Sequence, residues 1–447
     1  MRALLPALLL VLAWPASALD LRDAYALALR NDPTLQAALA ERDAGQEARA
    51  IGRAGLLPTL SYSYSSARND SEVTQASVQG NVTSQRDYRS RASTLTLQQP
   101  LFDYAAWAAY RQGEAEALMA DARYRGRSQE LLVRLFSAYS EALFAQDQIA
   151  LVQAQRRAYA EQLQLNQRLF QAGEGTRTDL LETGARLELA RAQEIEAVDN
   201  LDAALRQLQA IVGEPLAVQD LTPLAEDFTL QPLQPARFET WRDLALAANP
   251  ELAAQRHALD RARYAVERNR AGHLPTVSAY ASTSKTRSGS ESTYNQEYDT
   301  DSIGLQISLP LFAGGAVSAS TRRAVAEVEQ ASHSLDAQTA ETLNQLRQQF
   351  NLCASSAAKL RAYALAVESA STLIEATRRS VAGGERVNLD VLDAEQQLYS
   401  ARRDLAQARY GYLRAWLQLR YLAGQLVPGD LEALAGYFEG SRRTPEA

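Results

Sequence analysis

Asp390 and Asp393, in the stretch "GGERVNLDVLDA", are the residues whose type and spacing most plainly suit chemistry. Three positions apart, both carboxylates project from one face of a helix. Just after a glycine turn, such a pair can cap free N–H groups and suit the helix dipole. Repeated round an axis, it can instead gather cations and repel anions. Asp179 and Glu182 stand after a similar turn, in "GEGTRTDLLETG". From the residues alone, capping and gating both stay open.

Other constellations point nowhere. "STSK" (Ser282 to Lys285) fits a nucleophile pattern but lies in a polar hairpin with no supporting motif. His257, His273 and His333 are far apart, never at ligand spacing, and Cys353 has no second cysteine. "NVT" at Asn81 is a glycosylation match that means nothing if the host is bacterial, and "AGG" before Glu385 lacks the Lys-Ser/Thr of a phosphate loop. No enzyme, cofactor or resident metal is expected, apart from cation block at Asp390 and Asp393.

The elements that must position the carboxylates follow from pattern. A net charge of -7 and no basic stripe argue against nucleic acid. Arg2, an apolar run from Leu4 to Trp14 and small residues at Ala16 and Ala18 predict a signal peptide over 1–18. No other segment is apolar enough for a spanning helix, so any membrane-crossing part must be strands.

The chain is written twice. "NDPTLQAALAERDAGQEARAIGRAGLLPTLSYSYSS" matches "ANPELAAQRHALDRARYAVERNRAGHLPTVSAYAST", and Pro33–Pro58 and Pro250–Pro275 each span 25 residues. "QQPLF" is answered by "SLPLF", and the block from Gly173 by the block from Gly384. The predicted organisation is a first repeat over 19–213, a proline-broken linker over 214–240, a second repeat over 241–424 and a tail over 425–447 that ends in the disordered-looking "EGSRRTPEA". Each repeat reads helix, strand, polar loop, strand, very long helix, glycine turn, helix. Pro58, Pro100, Pro275 and Pro310 mark the strand–helix junctions, where the hydrophobic period switches. Gly173 and Gly384 mark the turns at the helical tips.

Heptads run through both last helices: Val391, Leu398, Leu405, Tyr412 and Leu419, with Ala394, Ala401, Ala408 and Ala415 three places on. Leu180, Leu187, Glu194, Leu201 and Leu208, with Thr183, Ala190, Ala197, Ala204 and Ile211, repeat the pattern. This predicts antiparallel coiled coils with a close-approaching alanine edge. From Phe102 to Gly173 is 71 residues, on the order of 100 Å if one helix, so the molecule should be elongated.

"DSIGLQISLPLF" alternates Ile303, Leu305, Ile307, Leu309 and Leu311 with small or polar residues, a strand with one greasy face. Two hairpins give four strands, too few to close a barrel. In lipid their open edges would need neighbouring chains. The alternative is a structural periplasmic coiled-coil protein whose strands form a soluble cap.

"NPEL" (Asn249 to Leu252), the paired "LPT" and "PLF", and "LDVLDAEQQLYSARRDLAQARYGYL" (Leu389 to Leu413) resemble the TolC family of outer membrane efflux proteins over nearly the whole chain. With no cysteine near Ala18, the chain is more similar to the branch serving type I secretion and general efflux. The resemblance implies a mainly α fold with a periplasmic α-barrel, and a homotrimer in which each chain gives four strands to a shared transmembrane β-barrel. It implies an export duct in the outer membrane lipid, with a large periplasmic part. A periplasmic adaptor and an inner-membrane transporter of ABC, RND or MFS type would serve it. It places Asp390 and Asp393 at the periplasmic constriction as a selectivity ring. It also implies that Arg386 latches to Thr178 and Asp179. Where the family's closed state uses a tyrosine before the turn, Val381 and its neighbours stand here.

Overall fold

The computed structural model describes residues 19–78, 80–225, 228–230 and 232–438. The expected signal segment and residues 439–447 of the expected tail lie outside them. The helices are α1 (Leu21–Asn31), α2 (Pro33–Ala54), α3 (Tyr104–Ala172), α4 (Arg177–Val212), α5 (Phe238–Ala248), α6 (Pro250–Arg270), α7 (Ala316–Ala382), α8 (Asn388–Leu422) and α9 (Gly429–Ala435). The strands are β1 (Thr59–Ser77), β2 (Gly80–Phe102), β3 (Thr276–Arg287) and β4 (Glu297–Ser308). Among the described residues, one compact unit gathers 40–124 and 251–338; the other gathers 19–39, 125–250 and 339–438. Both sequence repeats contribute to each unit.

The first unit carries an antiparallel sheet in the order β1-β2-β3-β4. Its register puts Leu60 opposite Leu97, Tyr62 opposite Leu95, Ala281 opposite Ile303 and Ala279 opposite Leu305. Since facing residues share a side of the sheet, one side is apolar across all four strands. It is bare: Ile303 is 89 % exposed and Ile307 72 %. The other side carries Ser61, Ser63, Thr94, Thr96, Ser282, Ser302 and Gln306, with Thr94 and Ser284 hydrogen-bonded at 3.1 Å. Gly304 is required there, because a Cβ would sit 2.8 Å from the Tyr280 ring lying across it.

Two expectations are corrected. The polar stretch 67–87, read as a loop, continues β1 and β2 in unbroken register as far as Ser77 opposite Gly80. Cross-strand polar pairs replace the missing hydrophobic face: Thr74–Thr83 at 3.0 Å, Gln85 to Asp70 at 3.1 Å and Arg68 to Asp87 at 2.5 Å. Pro100 lies inside β2, not at a junction. It is tolerated because β1 pairing ends at Gln98 and the β2–β3 register shifts at Pro100/Phe102. Pro58, Pro275 and Pro310 do fall between helix and strand.

In the second unit the duplication is visible as one repeated joint. Gly213 (φ 78°) ends α4 and Gly424 (φ 67°) follows α8. A Cβ on Gly213 would meet Asn31 Cβ at 2.4 Å, and one on Gly424 the Ala248 carbonyl oxygen at 2.3 Å. Asn31 donates to the Val212 carbonyl at 2.8 Å and Asn249 to the Leu422 carbonyl at 2.9 Å. These side chains satisfy C-terminal carbonyls that the helices cannot. Beside Asn31, the buried Asp32 caps Leu35 N–H at 3.0 Å and pairs with Arg134 at 2.6 Å.

Segments read as linker and tail hold part of this core. Val218, Leu221, Ala225, Leu431, Leu434 and Phe438 are buried, and Leu224 bridges Phe438. The Phe438 ring meets Phe136 and Tyr139 edge-on. The Tyr139 hydroxyl accepts from Thr222 N–H at 2.8 Å and shares its own proton between the Leu19 and Thr222 carbonyls. The heptad edge also holds: Thr183, Ala190, Ala197 and Ala204 are buried on α4, and Val391, Ala394, Leu398, Tyr412, Ala415 and Leu419 on α8.

Candidate gate at the helical turns

Both turns are built alike. After α3, Gly173 takes φ 80° and Glu174 N–H returns to the Leu169 carbonyl at 2.9 Å. After α7, Gly384 takes φ 76° and Glu385 N–H returns to the Ser380 carbonyl at 2.9 Å. The positive φ favours glycine, and the returning bond closes the helix end.

Each following helix starts on a capped carboxylate. Thr176 and Asp179 form a reciprocal box: Asp179 N–H donates to the Thr176 hydroxyl at 3.1 Å, and Thr176 N–H to the Asp179 carboxylate at 3.1 Å. In the second copy Val387 holds the Thr176 position and has no side-chain oxygen. Only half the box remains there, Val387 N–H donating to Asp390 at 3.2 Å. Asp179 and Asp390 are thus cap residues in a single chain.

Asp393 behaves differently. It is exposed, and its Oδ1 accepts from the Arg186 guanidinium of α4 at 2.8 Å. Arg186 was not picked out from sequence; its partner lies 207 positions away and no local pattern joins them. Arg386 and Thr178 are exposed, and Arg386 forms no ion pair among the described residues of one chain. The implied Arg386–Asp179 contact is therefore not made within the chain.

Beneath the turns runs a buried polar seam, also unforeseen. Gln162 of α3 donates to Asn388 at 2.7 Å, Asn388 donates to the Thr183 hydroxyl of α4 at 3.0 Å, and Asn166 donates to the same hydroxyl at 2.9 Å. Two turns deeper, Gln155 donates to Gln396 at 2.7 Å, beside an apolar cluster of Tyr159, Leu187, Ala190 and Leu392. The seam ties α8 to the α3–α4 hairpin. On the α7 side, Arg378 pairs with the half-buried Glu395 at 2.6 Å. Burial pushes Glu395 above the usual carboxylate range, and Arg378 opposes the rise. Among the described residues no three metal-ligating side chains converge. Ser282 and Lys285 sit on opposite sides of β3, and Lys285 pairs with Glu297 at 2.6 Å, so the Ser-Lys pattern brings no base to its serine.

The helical tips are therefore two capped turns, an ion pair across α4 and α8, and a buried polar seam, set in a chain that also has a bare apolar sheet face. Comparison with known proteins bears directly on such a chain. The family model for outer membrane efflux proteins matches it twice, over residues 24–214 and 241–425. The chain belongs to the outer membrane efflux protein family. The two matches fall on the two copies of the duplication. Among relatives of this efflux protein, the alkaline protease secretion protein AprF of Pseudomonas aeruginosa is 57 % identical over 97 % of this chain and 90 % of its own length. Outer membrane protein TolC of Vibrio cholerae is 31 % identical over 92 % of each. The solved outer-membrane channel OprN superposes with a TM-score of 0.78, over 91 % of this chain and 90 % of its own, at 21 % identity. The fold is that of these channels, and the efflux protein is an outer-membrane export channel.

Proposed function

We propose that three copies of the chain pool β1–β4 into one transmembrane barrel, and that the assembly exports a secreted protein with a periplasmic adaptor and an inner-membrane transporter. The observation that carries this is the open sheet. Its two outer strands, β1 and β4, are not paired with each other, yet its apolar face belongs in lipid. A bilayer does not tolerate unpaired strand edges, so further copies must supply the partners. The likeness to a protease secretion protein favours a polypeptide as cargo, and the hydroxyl-bearing side of the sheet, uncharged where all four strands pair, suits an unfolded chain of either charge.

At the turns, Asp390 and Asp393 from three chains form the selectivity ring and bind blocking cations. Arg386 of one chain reaches Thr178 and Asp179 of the next, as a latch an adaptor opens. The exposed Arg386, without an ion pair in its own chain, supports a partner from outside. The test is mass measurement of the detergent-solubilised particle, together with secretion of a protease in a strain lacking its own channel. Three chains per particle and restored secretion are expected; a monodisperse single chain would end the reading.

A further inference from the structure

On the lipid side of the sheet the apolar positions give way, toward the hairpin tips, to charged residues, with Arg68, Arg89, Arg91, Lys285 and Arg287 set among Asp70, Glu72, Asp87, Glu297, Asp299 and Asp301. The β2 register is unbroken from Leu97 to Arg89, so Arg89 and Arg91 share a face with Leu95 and Leu97. Arg91 faces Arg287 of β3, and Arg89 faces Arg68 of β1. Like charges directly opposite destabilise a ladder. Ion pairs relieve part of this: Arg68 is held by Asp87, and Lys285 takes up Glu297 and Asp299. Glu297, the β4 residue opposite Arg287, pairs with Lys285 at 2.6 Å and stays within electrostatic reach of Arg287. Arg89, Arg91 and Arg287 are exposed and carry no ion pair among the described residues.

Position suggests what answers them. From Leu95 to Arg91 is four residues, about 13 Å along the strand. Tyr62 and Tyr64, both exposed, stand on the same face between Leu60 and Arg68, as interfacial aromatics do. Acyl chains that cover Leu95, Leu97 and Ile303 place their headgroups beside the arginines. A guanidinium grips a phosphate through two parallel N–H bonds, and one phosphate between two facing arginines turns repulsion into attraction.

We propose that Arg89, Arg91 and Arg287 form a docking site for the phosphate groups of an outer-leaflet glycolipid of the lipid A type. This rests on the outer-membrane reading, which fixes the hairpin tips as the outer-leaflet end. The site anchors the barrel in the leaflet and neutralises a register that is repulsive without lipid.

The experiment uses the full-length protein reconstituted in phosphatidylcholine vesicles containing either bisphosphorylated or phosphate-free lipid A, with retained lipid counted by native mass spectrometry. The wild type should retain the bisphosphorylated form at least ten-fold better. The triple variant R89Q/R91Q/R287Q should lose that preference, and R89K/R91K/R287K should keep a part of it. Equal retention of both lipids by the wild type, or an unchanged preference in the glutamine variant, overturns the site. Competition by millimolar inorganic phosphate would assign the arginines to a free anion and overturn the lipid assignment. If the triple variant fails to insert, R287Q alone is compared, and a change below two-fold counts against the proposal. Planar-bilayer conductance separates the two levels: a conducting protein without the preference refutes only the lipid site. A wild type that forms no channel refutes the reading beneath it.

Discussion

Arg186 and Asp393 meet at 2.8 Å across α4 and α8, and they are the only residues of the turn region whose charges join the two repeats directly among the described ion pairs. The contact sets a guanidinium beside a carboxylate proposed for the selectivity ring and clamps α8 to α4. It is partly exposed, so its own contribution to stability is about 1 kcal/mol or less.

Replacing Arg186 by Ser should raise cation selectivity, because the guanidinium that offsets the Asp393 charge is removed, and should also raise the fraction of time spent conducting. Single-channel recording in planar bilayers reads both. An Arg186→Ser channel with wild-type selectivity and gating would make the bridge incidental. Combined with Arg386→Ser, the opening effects should add, since the two arginines act on different contacts.

The two aspartates should separate by readout. Asp393→Ala should change ion selectivity with little loss of stability. Asp390→Ala removes a cap as well, at a cost of about 0.5–2 kcal/mol, so it should lower the thermal midpoint of the solubilised protein. Equal midpoints for the two variants would show that the Val387–Asp390 bond contributes no cap.

The buried seam predicts the opposite order of effects. Thr183→Val leaves Asn166 and Asn388 without their shared acceptor, at a cost of about 1–3 kcal/mol per buried group left unpaired. Ion selectivity should not move, while the thermal midpoint falls and the turns open more often. Thr183→Ser, which keeps the hydroxyl, should restore both.

How much of this could be read in the sequence depends on whether the cause was local. Alternation marked Ile303, Leu305 and Ile307 as one face, and heptads marked Thr183, Ala190 and Val391, because burial on one side imposes a period. The far end of the β1–β2 hairpin, with Ser71, Thr74 and Thr83, left no such trace: both sides are largely polar, so the ladder there is held by pairs that only the register reveals. Asp390 as a cap could be inferred from its distance to a glycine. Arg186 with Asp393, and Thr183 with Asn388, could not, since each joins segments about two hundred residues apart. The interleaved units were hidden for the same reason.

Tyr139 gives a pH dependence. Burial pushes its hydroxyl up to about 12, against about 10 for a tyrosine in the unfolded chain. The folded form keeps its proton where the unfolded form loses it. Its contribution is therefore complete below pH of about 10 and declines as pH rises toward about 12, by at most roughly 1.4 kcal/mol per unit. Thermal midpoints at pH 8 and pH 11 should differ more for wild type than for Tyr139→Phe. Parallel losses in the two proteins would assign the alkaline sensitivity to other groups.

Gly213 and Gly424 offer a test of the duplicated joint itself. An alanine at either meets two obstacles, a positive φ that disfavours any Cβ and a neighbour far inside contact distance. The obstacles differ in kind. At Gly213 the nearest atom is Cβ of Asn31, whose removal in Asn31→Gly opens the space. At Gly424 it is the backbone oxygen of Ala248, which no substitution removes. Gly213→Ala should therefore be partly rescued by Asn31→Gly, with about 1 kcal/mol of φ strain and the lost Asn31–Val212 hydrogen bond left over, while Gly424→Ala should have no side-chain rescue. Both are read as thermal midpoints of the solubilised protein. Equal, mild losses at the two glycines would mean that the joints yield at the backbone, and that the close approach seen in both repeats is not what holds α4 and α8 in place.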